Sequence, residues 1–491
     1  MKILLVDPPC DRFIGYTSEC IPLGLSCIAS YMKTKGHEAC VYNADHAQSS
    51  SHINIVEYSA NQANYLSAVN EERHPVWQEI IKVIRDFRPA VIGISVMSVK
   101  LLPARKLISL IRAIDKDIVI ACGGHHPTID PELFLRSAGA DFVIRGEGEL
   151  TMAELVEKIA AGMTDYEAIP GLSFVRDSKV IHSRARQLIP DLSILPLPEK
   201  ENVIFRDSYR MDDFSIVMTS RGCPYSCGFC GSGNMWQRKV RYRSVGNVID
   251  EIRHLKKSYG VTNIKFMDDS FSVDRKRVEQ LCREMISARL NITWSCLTRV
   301  NLIDDRLVRL MKKAGCTKID LGIESGNPRI LAMIDKAITI EQIEKSVKII
   351  NRYHIFWAGF FMFGFPTETE REVMDTLSFM KKLKPGWANI SIFTPYPGTK
   401  LYDMCLKNGI IDSSYDPSLY MHQRTESFAT DTISKEEFSL VSKRMLNEFN
   451  DYNRSFYALF RRAGSRNYHR NPGLLLEDGK KLFHWLNKGK K

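Results

Sequence analysis

The sequence predicts an α/β protein: an N-terminal doubly wound parallel-sheet domain, a (βα)6 partial barrel and a helical C-terminal tail. Three observations predict it. Over the first 150 residues, short runs rich in Val, Ile and Leu alternate with amphipathic stretches, as parallel strands covered on both faces require. The same rhythm restarts at Phe214 and runs through six units. From Tyr452 to Lys491 the chain instead carries ten Lys/Arg against two acids, interleaved with aromatic residues.

In chain order, residues 1–162 form the first expected domain. Its strands are Ile3–Val6, Ala39–Tyr42, Val91–Ser95, Ile118–Cys122 and Phe142–Ile144, with helical patterns such as Val76–Phe87 and Leu102–Ile114 between them. Five such units suggest a flavodoxin-like (Rossmann-type) sheet, whose ligands sit at the carboxyl ends of the strands. The unusual residues cluster at those ends: Asp7-Pro8-Pro9, Asn43-Ala44-Asp45, Ser95–Ser98, Gly123–Thr128 and Arg145–Glu149. Glycine there lets the backbone approach a bulky ligand. Any one such loop is explained by a turn alone; five on one sheet edge indicate a ligand site.

Residues 163–213 read as a connector. Pro170-Gly171 opens a hairpin (Leu172–Val175, Val180–Ser183), and Leu195-Pro196-Leu197-Pro198 marks a boundary. Residues 214–406 form the second domain. A strand at Phe214–Met218 is followed by Ile264–Met267, Ile292–Cys296, Lys318–Ile323, Phe356–Met362 and Asn389–Phe393. Ser244 caps a helix whose apolar residues Val245, Val248, Ile249, Ile252 and Leu255 keep helical spacing, and Gly260 stops it. Six units fall short of the eight that close a TIM barrel, so the barrel should be open on one side. Residues 407–491 form the helical basic region.

The most informative segment is Arg221-Gly222-Cys223-Pro224-Tyr225-Ser226-Cys227-Gly228-Phe229-Cys230. Three thiolates at C-x3-C-x2-C spacing on one loop can hold three corners of a [4Fe–4S] cubane and leave the fourth iron open. A structural zinc site or inert core thiols would also place cysteines close together. The other nine of the twelve cysteines are scattered and suit small core positions. With no signal-like N-terminus, reduced thiols in the cytoplasm are expected rather than a disulfide framework. No run approaches the length of about 18 apolar residues that a spanning helix needs.

The cysteine motif and the strand-end residues after it resemble those of radical S-adenosylmethionine (SAM) enzymes. Phe266-Met267-Asp268-Asp269, Arg299, Leu321-Gly322-Ile323-Glu324-Ser325-Gly326, Gly364-Phe365-Pro366-Thr367-Glu368 and Pro395-Tyr396-Pro397-Gly398-Thr399 occur in that family's order. The resemblance implies that Cys223, Cys227 and Cys230 bind the cluster. It also implies that Asp268 and Asp269 meet the SAM ammonium, Arg299 its carboxylate, Glu324 its ribose hydroxyls, and Phe229 its adenine. Residues 1–160 resemble the cobalamin-binding domain that precedes many such catalytic domains, which implies cobalamin contacts at Ser95, Ser98, Gly123, Gly124, His125 and Glu147. One departure is plain. The D-x-H-x-x-G signature that gives cobalt a histidine is absent, since Asp45-His46 lacks the spacing and His125 and His126 lie on another loop.

This resemblance implies a cobalamin-dependent radical SAM methyltransferase. It would act on an unactivated carbon through a 5′-deoxyadenosyl radical and methylcobalamin, taking electrons from a donor such as flavodoxin or ferredoxin. Cyclisation or oxidation without methyl transfer is the alternative. A tRNA methylthiotransferase would need a second cysteine set and a β-barrel tail, and neither is present in the sequence. Nucleic acid is therefore not the expected partner. A small-molecule or lipid substrate is expected, its pocket lying between the two domains. The tail is expected to pack on the catalytic domain as a helical appendage; the alternative is peripheral contact with the inner face of an anionic membrane.

Overall fold

A computed structural model describes residues 1–16, 20–47, 53–420, 424–425 and 428–465. The first sheet contains β1 (Lys2–Asp7), β2 (Glu38–Asn43), β3 (Val91–Ser95), β4 (Val119–Gly123) and β5 (Phe142–Ile144), all parallel. Its order, β2-β1-β3-β4-β5, is that of a flavodoxin-like domain. The hairpin foreseen in the connector adds to this sheet. Strand β6 (Leu172–Arg176) pairs antiparallel with β5, and β7 (Lys179–His182) forms the new edge. That pairing could not be read from sequence, because an edge hairpin and a free hairpin share one alternation pattern.

The helices follow their sequence signals. Helix Pro75–Phe87 has Pro at its first turn and the His74 ring accepting from Val76 N, and it buries Val76, Trp77, Ile80, Val83 and Ile84 on one face. In the second domain, Ser244 caps helix Val245–Tyr259 through Asn247 N, and Gly260 ends it at φ +64°. That left-handed conformation costs glycine little.

The second sheet begins with β8 (Ile216–Val217). A short antiparallel pair follows, β9 (Ser220–Arg221) with β10 (Arg241–Tyr242). The barrel strands continue as β11 (Asn263–Phe266), β12 (Thr293–Thr298), β13 (Cys316–Glu324), β14 (Phe356–Phe363) and β15 (Trp387–Ile392). The parallel order β15-β14-β13-β12-β11-β8 is an open six-stranded barrel wall. One apolar core runs from Ile3, Leu5 and Leu25 of the first domain through Phe214 to Ile264, Ile319 and Ile390 of the second. The opposite face of the first sheet has its own core around Trp77 and Phe134.

Helix Lys435–Arg454 lies along β15. It buries Phe438, Val441, Met445, Leu446 and Phe449, and the Phe449 ring sits 5.5 Å from Phe361. Within the described part of the tail, helix Lys435–Arg454 is packed on the second sheet, whereas Phe456 and Phe460 of the following helix are exposed. The aromatic residues Tyr468, Phe483 and Trp485 lie outside the described residues.

Candidate functional site

The carboxyl ends of the two sheets face each other. Segment His125–Ile129, after β4, packs against Ser232–Trp236 of the cysteine loop, and segment Ser98–Lys100, after β3, packs against Pro417–Leu419.

The cysteine loop is pinned along its length. Gly222 has φ +98°, and a β-carbon there would fall 2.1 Å from the Lys239 carbonyl oxygen. No other residue fits without moving that backbone. Gly228 N donates to Ile334 O at 2.8 Å, and Gly228 O accepts from Leu401 N at 2.9 Å. Asp268, at the end of β11, anchors the start of the loop. Its Oδ1 accepts from Thr219 N and Thr219 Oγ1, both at 3.0 Å, from Ser220 Oγ at 2.6 Å, and from Ser220 N. Four donors on one oxygen favour the carboxylate, but burial outweighs them and raises the Asp268 pKa. Its Oδ2 is buried without a protein partner. Asp268 is thus committed to the loop through Oδ1. Its neighbour Asp269 is exposed and accepts from Ser232 Oγ at 3.0 Å.

Cys223 and Cys227 are half-buried and Cys230 is exposed. Burial raises the thiol pKa of both Cys223 and Cys230, and Asp269 adds to it. The opposing cation is Arg299, whose Nη1 donates to Cys227 Sγ at 3.2 Å. Its guanidinium also lies 3.8 Å from the Tyr225 ring centre, and its Nη2 donates to Lys336 O. The Arg299 Nε is buried and unpartnered.

Glu324 follows a bulge at the end of β13 and has φ +69°. Its Oε1 accepts from Lys336 Nζ at 2.6 Å, and both side chains are buried. Lys336 Nζ also lies 5.8 Å from the Phe229 ring centre. A β-carbon at Gly322 would come within 2.9 Å of both Glu324 Oε1 and Lys336 Nζ, so the glycine of the Gly-Ile-Glu run makes room for this ion pair. The structure therefore brings Phe229, Arg299 and Glu324 together around one residue absent from the sequence reading, Lys336. No spacing rule ties a lysine twelve positions downstream to a strand-end glutamate.

On the facing edge, Ser98 Oγ bonds the His126 Nδ1 at 2.9 Å, and Gly124 (φ +99°) packs against Val96 and Ser95. Burial lowers the pKa of both His125 and His126. Asp269 opposes that shift at His125, which also lies nearest to Gly231 of the cysteine loop. Lys100 Nζ ties Asp7 and Asp45, at 2.9 and 2.8 Å, across the ends of β1 and β2. Glu147 differs from the expected cobalamin contact. Its Oε1 accepts from Arg221, and its Oε2 from Arg241 and Ile189 N. Both oxygens are committed to the junction between the domains.

The donor chemistry present suits the expected groups, although among the described residues no three of His, Cys, Asp or Glu are drawn together as a metal site. Three soft thiols stand on one loop beside a guanidinium, and Asp268 Oδ2 and Arg299 Nε are buried polar atoms still without partners. Two large apolar side chains, Met97 after β3 and Met267 after β11, are 48% and 47% exposed at the facing edges, as an apolar lining for a large ligand would be.

Residues 217–380 match the model of the radical SAM superfamily, and residues 13–156 match that of the B12-binding domain. A relative from Pyrococcus horikoshii, named uncharacterized methyltransferase PH0819, is 34% identical over 418 residues, covering 84% of each chain. The chain belongs to the cobalamin-binding radical SAM enzymes. Within this family, the anaerobic magnesium-protoporphyrin IX monomethyl ester cyclase of Rubrivivax gelatinosus is 29% identical over 66% of this chain and 60% of its own length. The solved structure of the radical SAM methyltransferase TsrM from Kitasatospora setae, with cobalamin and a [4Fe-4S] cluster bound, superposes with TM-score 0.70. It covers 91% of this chain and 90% of TsrM at 17% identity, a likeness of fold.

Proposed function

We propose that this radical SAM enzyme is a cobalamin-dependent methyltransferase acting on an unactivated carbon of a small molecule. One observation carries the proposal: three loop cysteines and a glycine–serine loop edge face each other across two packed sheets, in a chain 34% identical to a relative named as an uncharacterized methyltransferase. Bound there, the cluster with SAM supplies hydrogen-atom abstraction, and cobalamin supplies the methyl group. Cys223, Cys227 and Cys230 hold the cluster. Asp269 and Arg299 are placed for the SAM ammonium and carboxylate, Glu324 for its ribose, and Phe229 for its adenine. Ser95, Ser98, Gly123, Gly124 and His125 border the cobalamin. Asp268 sets the loop that carries the thiols.

Cys230 is exposed, which leaves an edge for a small electron donor such as flavodoxin or ferredoxin. No described helix is long and apolar enough to cross a membrane. We assign the enzyme to the cytoplasm; the alternative reading of the basic C-terminal residues is peripheral contact with an anionic membrane. Phe456 and Phe460, 80% and 70% exposed, support that alternative.

Product analysis tests the reaction. Methyl transfer consumes two SAM per product, giving S-adenosylhomocysteine and 5′-deoxyadenosine in equal amounts, with labelled methyl in the product. The similarity to the cyclase supports a second reading, in which 5′-deoxyadenosine forms with little S-adenosylhomocysteine. That result would replace the first reading.

A further inference from the structure

Strands β9 and β10 place Arg221 directly opposite Arg241, and the two residues are only 6% and 8% exposed. Like charges facing across an antiparallel pair repel, and a buried guanidinium without a counter-charge is costly. Among the described residues, the carboxylates that meet this pair come from the other domain, on the loop and first helical turn after β5. Glu147 takes Arg221 Nη1 at 2.8 Å on one oxygen and Arg241 Nη1 at 2.7 Å on the other, while Glu149 takes Arg221 Nη2. Trp236 lies against both guanidiniums, 5.9 and 5.4 Å from its ring centre. These two strands flank the cysteine loop: Arg221 lies two residues before Cys223, and Arg241 follows the loop's short helix.

We propose that Glu147 and Glu149 are positioning residues for the iron–sulfur loop. The N-terminal domain, through these two carboxylates, holds in place the loop that carries the three cysteines. A chain of contacts supports this assignment. The carboxylates neutralise the opposed arginines, the neutralised pair closes β9 on β10, and the closed pair fixes both ends of the loop. The proposal rests on the reading that Cys223, Cys227 and Cys230 bind the cluster, and the test separates the two.

The full-length Glu147→Gln/Glu149→Gln variant is compared with wild type in two ways. Hydrogen exchange of the cluster-free protein over residues 220–241 reports the loop alone, and exchange there should be faster in the variant. Iron loss to a chelator from the reconstituted protein reports the cluster, and should be roughly 10-fold faster, the low end of what loss of groups that orient metal ligands costs. The electron paramagnetic resonance signal of the reduced cluster should also shift. Glu147→Asp/Glu149→Asp, which keeps both charges, should restore most of the protection. Adding Arg221→Met/Arg241→Met to the glutamine variant should do the same, because no unpaired guanidinium remains. If the double glutamine variant does not fold, Glu149→Gln alone, which leaves Glu147 bridging both arginines, should give a smaller effect of the same sign. Wild-type exchange and wild-type iron loss in the glutamine variants would overturn the proposal. Absence of iron from the wild type would sink the cluster reading instead, and the exchange data would still decide this one.

Discussion

Lys336 joins three of the residues proposed to hold SAM. Its ammonium holds Glu324 at 2.6 Å, its carbonyl accepts from Arg299, and it lies over Phe229. Removing one partner of a buried ion pair leaves the other charged and unpaired, at a cost of about 3–5 kcal/mol. In Lys336→Met the stranded Glu324 should leave its position. SAM affinity should then fall by at least an order of magnitude, at an iron content close to wild type. Equilibrium dialysis of SAM on reconstituted protein checks this, and unchanged affinity would remove Lys336 from the site. Glu368 makes a separate prediction. Burial pushes its pKa up to about 8, although Gly364 N and Phe365 N donate to its Oε2. Because the folded state holds this proton to higher pH than the unfolded chain, stability attributable to Glu368 is present below the ordinary glutamate pKa and declines as pH rises towards 8. Glu368→Gln should flatten that decline, so the gap in urea midpoint between variant and wild type should widen in the variant's favour from pH 5 to pH 8. A constant gap would show that Glu368 does not titrate in this window. At this scale the sequence disclosed which residues matter more readily than what they touch. The cysteines and Glu324 announce themselves through motifs, whereas Lys336 lies in an unremarkable turn with left-handed neighbours, Asp335 and Ala337. Glu147 was visible in a glycine-rich loop, but its partners lie 74 and 94 positions away.

The elements themselves were largely legible. Strands Val91–Ser95 and Phe142–Ile144 stand where the apolar runs end, and the Ser244 and Gly260 signals bound their helix. Buried parallel strands leave continuous Val/Ile/Leu runs, which is why they could be read. The pair β9–β10 could not, because two-residue strands built from Ser-Arg and Arg-Tyr carry no apolar pattern. The covering of β15 was also hidden. There, Asn453 of helix Lys435–Arg454 acts as a surrogate strand. Its Oδ1 accepts from Ala388 N and its Nδ2 donates to Ala388 O, both at 2.8 Å. Ala388 is 2% exposed, so without the amide its backbone groups would be buried and unpaired. Asn453→Ala should therefore destabilise the second domain by about 1–3 kcal/mol, read as a lower urea midpoint. A midpoint equal to wild type would mean that water replaces the amide at no cost.

At the scale of the whole molecule, the two sheets share a core and present their carboxyl edges to each other, so a ligand seated at the first edge stabilises the assembled form. Ligand that binds the folded but not the unfolded chain adds RT ln(1 + [L]/Kd), about 2.7 kcal/mol at 100-fold excess over Kd. Hydroxocobalamin should accordingly raise the thermal midpoint of the protein, and the rise should grow with the logarithm of its concentration. Met97 localises the effect. It is half-exposed just after β3, so Met97→Lys should leave the stability of the unliganded protein within about 0.5 kcal/mol of wild type, as surface substitutions do. A lysine there would have to desolvate against the ligand, which costs binding energy, so the cobalamin-induced rise should shrink. A full rise in Met97→Lys would place the ligand away from the β3 edge. No rise in the wild type would mean that the first domain keeps its fold without binding cobalamin.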